Sequence, residues 1–160
     1  MQKIRVSKRG YDLLFERKKS FLDKLRHVQS QKGEAAEVGG NVWHDNFAFE
    51  DLVRQESIIN RQIANISLCI QRAEIVDAPC HERVLAVGHI ALLVFEDGTQ
   101  KEIEIVGFGE GDIYANPQKV EYSAPLVSPF IDTEMGAEEE INISGKKQTV
   151  TLLKIMRKGG

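Results

Sequence analysis

The chain has 160 residues, and the side chains in it that could do chemistry are four histidines, two cysteines, the glycines and acids of Val106-Gly-Phe-Gly-Glu110-Gly-Asp112, and the acids Asp45, Glu50 and Asp51. Cys80 and His81 are adjacent, but a tetrahedral zinc site needs four ligands and no second pair stands at ligand spacing. His27, His44 and His89 are isolated in sequence, so neither zinc nor a histidine base is expected. No Ser or Cys sits in a nucleophile motif. The Gly107 to Gly111 run lacks the lysine and the following helix of a phosphate loop, so its glycines read as a turn that presents Glu110 and Asp112. The chain is therefore expected to hold no active site of its own. Cys69 and Cys80 have no pairing signature and read as reduced thiols.

The elements that must position these residues are of two kinds. Tyr11, Leu14, Lys18, Phe21, Leu25 and Val28 step by three and four, and Leu52, Glu56, Ile59, Ile63, Ile66, Ile70 and Ala73 do the same. That spacing is a coiled-coil seam written twice. With Gly33, Gly39 and Gly40 assigned to the loop between them, the expected structure is an antiparallel helical hairpin, a finger of about 35 Å at about 1.5 Å per residue. Lys18 and Glu56 are polar seam positions that would set the register if they faced one another. Asp45 stands where an N-cap would open the second helix, and Glu50 and Asp51 complement that helix's dipole.

Near Val76-Asp77-Ala78-Pro79 the heptad stops, and proline bars further helix. The domains are thus expected at 1–76, a coiled-coil hairpin, and 77–160, a sheet. In the second part Val84 to Val87, Ile90 to Phe95, Ile103 to Val106, Val120 to Tyr122, Ile141 to Ile143 and Thr149 to Met156 read as strands. Asp97-Gly98 and Ser144-Gly145 read as hairpin turns. Ser128-Pro129 reads as an N-cap followed by proline, opening one short helix. The fold class is α+β: a helical hairpin, then an antiparallel sheet with one short helix.

Charge divides with the domains. Residues 1–76 carry 13 Lys and Arg against 10 Asp and Glu, and residues 77–160 carry 8 against 14. An acidic second half is unlike a module that grips phosphates, and the cluster Arg17, Lys18, Lys19 and Lys24 reads as a solvated helix face. No run of about 18 apolar residues would cross a membrane, and Met1-Gln-Lys-Ile-Arg5 lacks a secretory core, so a cytoplasmic protein is expected.

Taken together these segments resemble a known family. A hairpin opening with Ser7-Lys-Arg-Gly10 and ending in Ala73-Glu-Ile-Val76, then Val106-Gly107-Phe-Gly-Glu110-Gly-Asp112, then Ser123-Ala-Pro125, resembles the Gre family of bacterial transcription elongation factors (GreA- and GreB-like). The likeness spans residues 5 to 157. It implies an FKBP-like sheet domain that docks on the rim of the secondary channel of bacterial RNA polymerase, with the hairpin inserted through that channel. It makes Glu110, Asp112, Ser123 and Pro125 candidates for the docking face. The alternative for these four is internal loop bonding by the acids and the serine, with Pro125 fixing the turn. As implied partners, polymerase is direct and nucleic acid indirect, and the protein is expected to be a monomer with no cofactor of its own.

The family places an Asp and a Glu at the finger tip, where they help polymerase retain a weakly held metal and orient the attacking water. An ungapped alignment sets Asp45-Asn46-Phe-Ala-Phe49 over the family's Glu-Asn-Ala-Glu-Tyr and puts its preceding Asp on Val42. A one-residue insertion moves that Asp onto Asn41. In both alignments the first acid is absent and the second is one methylene shorter. Asp45 thus has two readings, an N-cap or a contact to Mg2+ held jointly with polymerase. Counted against the family, the chain from Gly10 to Asn41 is about one turn short, which predicts a long loose loop from Gln31 to His44. Trp43 in it either anchors the tip on polymerase or staples the loop to Phe47. The missing acid favours channel occupation over cleavage. Two other classes stay open from the residues alone: an FKBP-like prolyl isomerase with a chaperone arm, and a dimerising coiled-coil scaffold.

Overall fold

The structure, a computed structural model, describes residues 2–39 and 47–159. In chain order the elements are β1 (Ile4–Val6), α1 (Lys8–Gly39), α2 (Phe47–Arg72), β2 (Ala73–Ile75), β3 (His89–Val94), β4 (Gln100–Val106), β5 (Gln118–Glu121), a 3-10 turn (Ser128–Phe130), β6 (Glu138–Ile143) and β7 (Lys146–Arg157). The chain divides into two compact units, residues 12–72 and residues 1–11 with 73–160. That division differs from the expected boundary at 76/77. The reason is β1, which pairs in parallel with β2 through Ile4↔Ala73, Arg5↔Glu74 and Val6↔Ile75 and so ties the N-terminus to the sheet unit. An apolar-polar-apolar triplet such as Ile4-Arg-Val6 is too short to announce a strand. Ala73, read as the last seam residue, belongs to β2.

In the helical unit both seams are present. Leu14 and Val28 on α1 and Ile59 and Ile66 on α2 are buried, and Lys18, Phe21, Leu25, Leu52, Ile63 and Ile70 are half-buried, while the positions between them are mostly exposed. The expected loop from Gln31 is different in kind, because Gln31 to Gly39 continues α1. One glycine in a helix costs about 1 kcal/mol, and Gly33 is followed by Glu34-Ala-Ala-Glu37, all good helix formers. The seam also runs on, with Lys32 and Ala35 half-buried at the next steps of four and three.

The register pair is likewise not the expected one. Glu56 meets Lys32, not Lys18, at 3.3 Å, and the Lys32 ammonium also lies 5.8 Å from the centre of the Phe49 ring. A half-exposed ion pair contributes little net stability, but one partner alone would leave a partly desolvated charge. Lys32→Met with Glu56→Leu is therefore expected to unfold within about 1 kcal/mol of wild type or above it, while Glu56→Leu alone falls below the double variant by about 1 kcal/mol. Urea unfolding of the four proteins checks this, and equal stabilities for the single and double variants would show that the pair is uncoupled.

The sheet unit holds a five-stranded sheet of order β5-β4-β3-β7-β6. Neighbours are antiparallel except β4 and β5, which pair in parallel through Ile103↔Gln118 to Val106↔Glu121, so the sheet is mixed. Alternation fills one face: Ala91, Leu93, Ile103, Ile105, Leu152 and Ile155 are buried around Phe130, which the 3-10 turn delivers to the core. Ser128 is the first residue of that turn rather than its cap, and no side chain caps it. Edge strand β6 begins Glu138-Glu-Glu140, a charged edge that resists pairing with another chain. The β6–β7 connection is the two-residue turn Ser144-Gly145 with φ of 52° and 82°, as a hairpin of this twist needs. At Asp97-Gly98 the loop is longer: Gly98 N–H donates to Phe95 O at 2.9 Å, with Gly98 at φ 83°. Hydrogen bonds from Thr99, side chain first and then backbone, hold the Asp97 carboxyl below its ordinary value.

Val84 to Val87 is not a strand. Leu85 and Val87 are buried, which produced the alternation, but the backbone pairs with a loop: Leu85 N–H donates to Thr133 O and Asp132 N–H to Leu85 O, both at 2.9 Å. His89 closes the same loop from inside the core. Its Nδ1 accepts from Ala86 N–H at 3.0 Å and its Nε2 lies 2.6 Å from His81 O, so the ring is a neutral structural link.

Candidate functional site

The docking candidates fall on the loops at one end of β4 and β5. The turn after β4 is fixed by backbone bonds: Phe108 N–H donates to Arg5 O at 2.9 Å and Glu110 N–H to Gly107 O at 3.2 Å. These bonds aim the Glu110 carboxylate at the start of α1. Its Oε2 accepts the Ser7 N–H at 3.0 Å and its Oε1 accepts the Ser7 hydroxyl. Ser7 Oγ in turn accepts the Gly10 N–H at 3.0 Å.

This is a capping box made from two distant pieces of chain. In the usual box the N-cap serine bonds the N–H three residues on, and a Glu at that position returns to the N-cap N–H. Here the position three residues on is Gly10, and the returning carboxylate is Glu110, 103 residues away. The carboxylate also complements the positive end of the helix dipole. Gly10 is required because a Cβ there would lie 2.6 Å from the Glu110 carboxyl carbon. Gly107 is required because a Cβ would lie 2.8 Å from Val6 Cα and 2.9 Å from Arg5 O, and closer still to Glu110 Oε2. Both oxygens of Glu110 are thus engaged within the molecule, which matches the internal-bonding alternative for this residue.

Asp112 has a local task as well. Its Oδ1 accepts the Tyr114 N–H at 2.9 Å, and its backbone exchanges two bonds with Lys119 at 2.9 and 3.0 Å. Glu121, which sequence reasoning passed over, accepts the Gly109 N–H on Oε1 at 3.0 Å and joins the two loops. Behind them the Tyr122 hydroxyl accepts the Arg5 N–H at 2.9 Å, and the Arg5 guanidinium lies 5.7 Å from that ring's centre. Ser123 and Pro125 follow and are exposed. Asp112 and Ser123 border one surface groove, whereas Glu110 and Pro125 do not line it. The loops are held from beneath, so that Asp112, Ser123 and Pro125 are offered to solvent on a fixed frame.

The tip candidates Asn41, Val42, Trp43, Asp45 and Asn46, with His44, lie outside the described residues. Glu50 and Asp51 sit in the first turn or so of α2, where Asp51 pairs with Arg54 at 3.8 Å and accepts from Gln55 at 2.7 Å. Among the described residues no three His, Cys, Asp or Glu side chains converge as a metal site would require. No described helix is long and apolar enough to cross a membrane.

Comparison with known proteins fits this arrangement. A "Transcription elongation factor GreA" from Nautilia profundicola is 31% identical over 160 residues, covering 97% of this chain and 95% of the relative. The chain belongs to the Gre family of transcription elongation factors. A GreA from Neorickettsia sennetsu is 25% identical over 156 residues, at 96% of each chain. Among solved structures, the GreA factor homolog Gfh1 of Thermus thermophilus aligns over 96% of this chain and 99% of its own, at 16% identity and a TM-score of 0.44. No family model matches the chain. Gre membership gives the Ser7, Gly10, Gly107 and Glu110 motifs a common physical purpose, since all four meet in one cap.

Proposed function

We propose that this Gre factor acts on bacterial RNA polymerase as a channel-occupying regulator of elongation. The loops bearing Asp112, Ser123 and Pro125 dock on the rim of the secondary channel, and the hairpin enters the channel toward the active site. The observation that carries the reading is the fixed frame under those loops, because a docking face must be held still before binding to avoid an ordering cost. Glu110 serves this face by positioning, since its carboxylate is engaged by Ser7. An arm of 26 residues, about 39 Å at 1.5 Å per residue, gives the hairpin reach.

Occupation is favoured over cleavage on the residues of the tip. A Mg2+ ion there would be held by polymerase's own ligands, with Asp45 the one acid this chain retains at the aligned positions, and such an ion would polarise the scissile phosphate and activate water. Where the family's other acid stands, this chain has Val42 or Asn41. The protein works as a monomer in this reading and meets nucleic acid only through polymerase. The deciding experiment adds wild type or Asp45→Ala to a stalled, backtracked bacterial polymerase and measures binding and transcript cleavage together. Binding without added cleavage is expected. Cleavage stimulated by wild type and lost in Asp45→Ala would make it a cleavage factor, and absence of binding would end the polymerase reading.

A further inference from the structure

Beside the docking loops the sheet unit carries an exposed apolar pair. Ile113 and Tyr114 are 67% and 91% exposed, at the head of the loop between β4 and β5. Loops that expose apolar side chains are usually mobile and polar, but this one is braced at its base by the Asp112 side chain on Tyr114 N–H and by the Asp112 and Lys119 backbones. A rigidly presented tyrosine gives much contact area for little lost rotamer freedom, and such residues serve as anchors at interfaces. The pair borders a groove of about 630 Å3 whose other apolar walls are Val120 and Leu126, with Lys101 and Lys119 at its margins.

The charges of this groove indicate what fits it. Asp112 Oδ1 is held by Tyr114 N–H and Glu121 Oε1 by Gly109 N–H, so each groove carboxylate is turned in part toward its own loop. Neither Lys101 nor Lys119 makes an ion pair among the described residues. The ammonium groups, on long stems, are the charges able to reach an incoming side chain. Resting on the polymerase reading above, we infer that this groove takes an acidic segment of RNA polymerase with apolar side chains, anchored on Ile113 and Tyr114 and paired with Lys101 and Lys119. The docking face therefore extends from Ser123 across the groove to Tyr114.

The test measures the affinity of labelled full-length protein for bacterial core RNA polymerase, with three variants: Tyr114→Ala with Ile113→Ser, Lys101→Glu with Lys119→Glu, and Phe15→Ser, an exposed site on α1 away from the groove. Melting curves establish that each variant is folded. The first two are expected to bind at least tenfold more weakly and the third as wild type. Wild-type binding that neither groove variant changes would overturn the inference and leave polymerase docking standing. Loss in the apolar variant with none in the lysine variant would overturn the acidic character of the partner segment. Failure of wild type to bind would overturn the docking reading and this inference together.

Discussion

Glu110→Ala is expected to lower the unfolding free energy of the sheet unit by about 3 kcal/mol, and in that background Gly10→Ala is expected to change from harmful to neutral or helpful. The first figure follows from the cap. Truncation removes two hydrogen bonds to a charged acceptor, each worth about 1.5–3 kcal/mol, at a half-buried site where solvent restores part of the loss. The second follows from geometry. The atoms that a Gly10 Cβ would strike all belong to the Glu110 carboxyl group. With Glu110 intact, alanine at position 10 must displace that carboxylate from Ser7 and forfeit the cap, at a cost of about 2 kcal/mol. With Glu110 truncated the space is open, and alanine in the first turn of α1 gains about 0.5–1 kcal/mol over glycine.

Gly107→Ala separates this account from a general fragility of the loop. Its Cβ would press on Val6 Cα and Arg5 O as well as on Glu110, so removing Glu110 does not make room. Its cost of about 3 kcal/mol, at the upper end of ordinary overpacking, should persist in the Glu110→Ala background. Urea unfolding of the two double-mutant cycles reads both outcomes. Additive effects of Gly10→Ala and Glu110→Ala would show that the carboxylate and the glycine do not share one space, and the cap would have to be abandoned.

The cap also shows what the sequence could and could not disclose. The seam of the hairpin was readable because a helix repeats every 3.6 residues, and Leu14, Val28, Ile59 and Ile66 are buried as that spacing requires. Five of the six expected strands are present because Val and Ile alternate with polar residues where one face is buried. Val84 to Val87 failed because burial of Leu85 and Val87 makes the same alternation when the backbone pairs with a loop. Gln31 to Gly39 failed in the opposite sense: glycine was weighed above the helix-forming residues around it and above the seam that continues through Lys32 and Ala35. The parallel β4–β5 pair has no local signature at all, since residue alternation does not encode strand direction.

At the site, legibility was lowest where partners are far apart in sequence. Ser7, Gly10, Gly107 and Glu110 were each visible as motif letters, but nothing in their spacing says that residue 110 caps a helix beginning at residue 8. Glu121 and Tyr122 brace the loops through Gly109 and Arg5, contacts that exist only once β5 has been laid beside β4. Tyr114 was unmarked, because an exposed aromatic in a loop differs from a buried one only in the structure.

Restoring the missing acid at the finger tip should turn an occupant of the channel into a cleavage factor. Two alignments compete, and each names a variant: Val42→Asp without a gap, or Asn41→Asp with a one-residue insertion, either combined with Asp45→Glu to recover the longer second side chain. Valine offers a metal nothing, and asparagine offers a neutral carbonyl oxygen. A carboxylate at the same place adds a charge-assisted contact worth a few kcal/mol to an ion that polymerase holds weakly. At 1.36 kcal/mol per factor of ten in rate, even half of about 3 kcal/mol gives a tenfold gain. We therefore expect one of the two double variants to raise the rate of transcript cleavage in a backtracked complex at least tenfold over wild type, while both bind polymerase as wild type does. The variant that succeeds fixes the alignment of the tip. If both bind and neither cleaves faster, the missing carboxylate is not what separates this chain from the cleaving Gre factors, and the difference lies instead in how the Gly40 to Asn46 segment is shaped by its glycine and its Trp43.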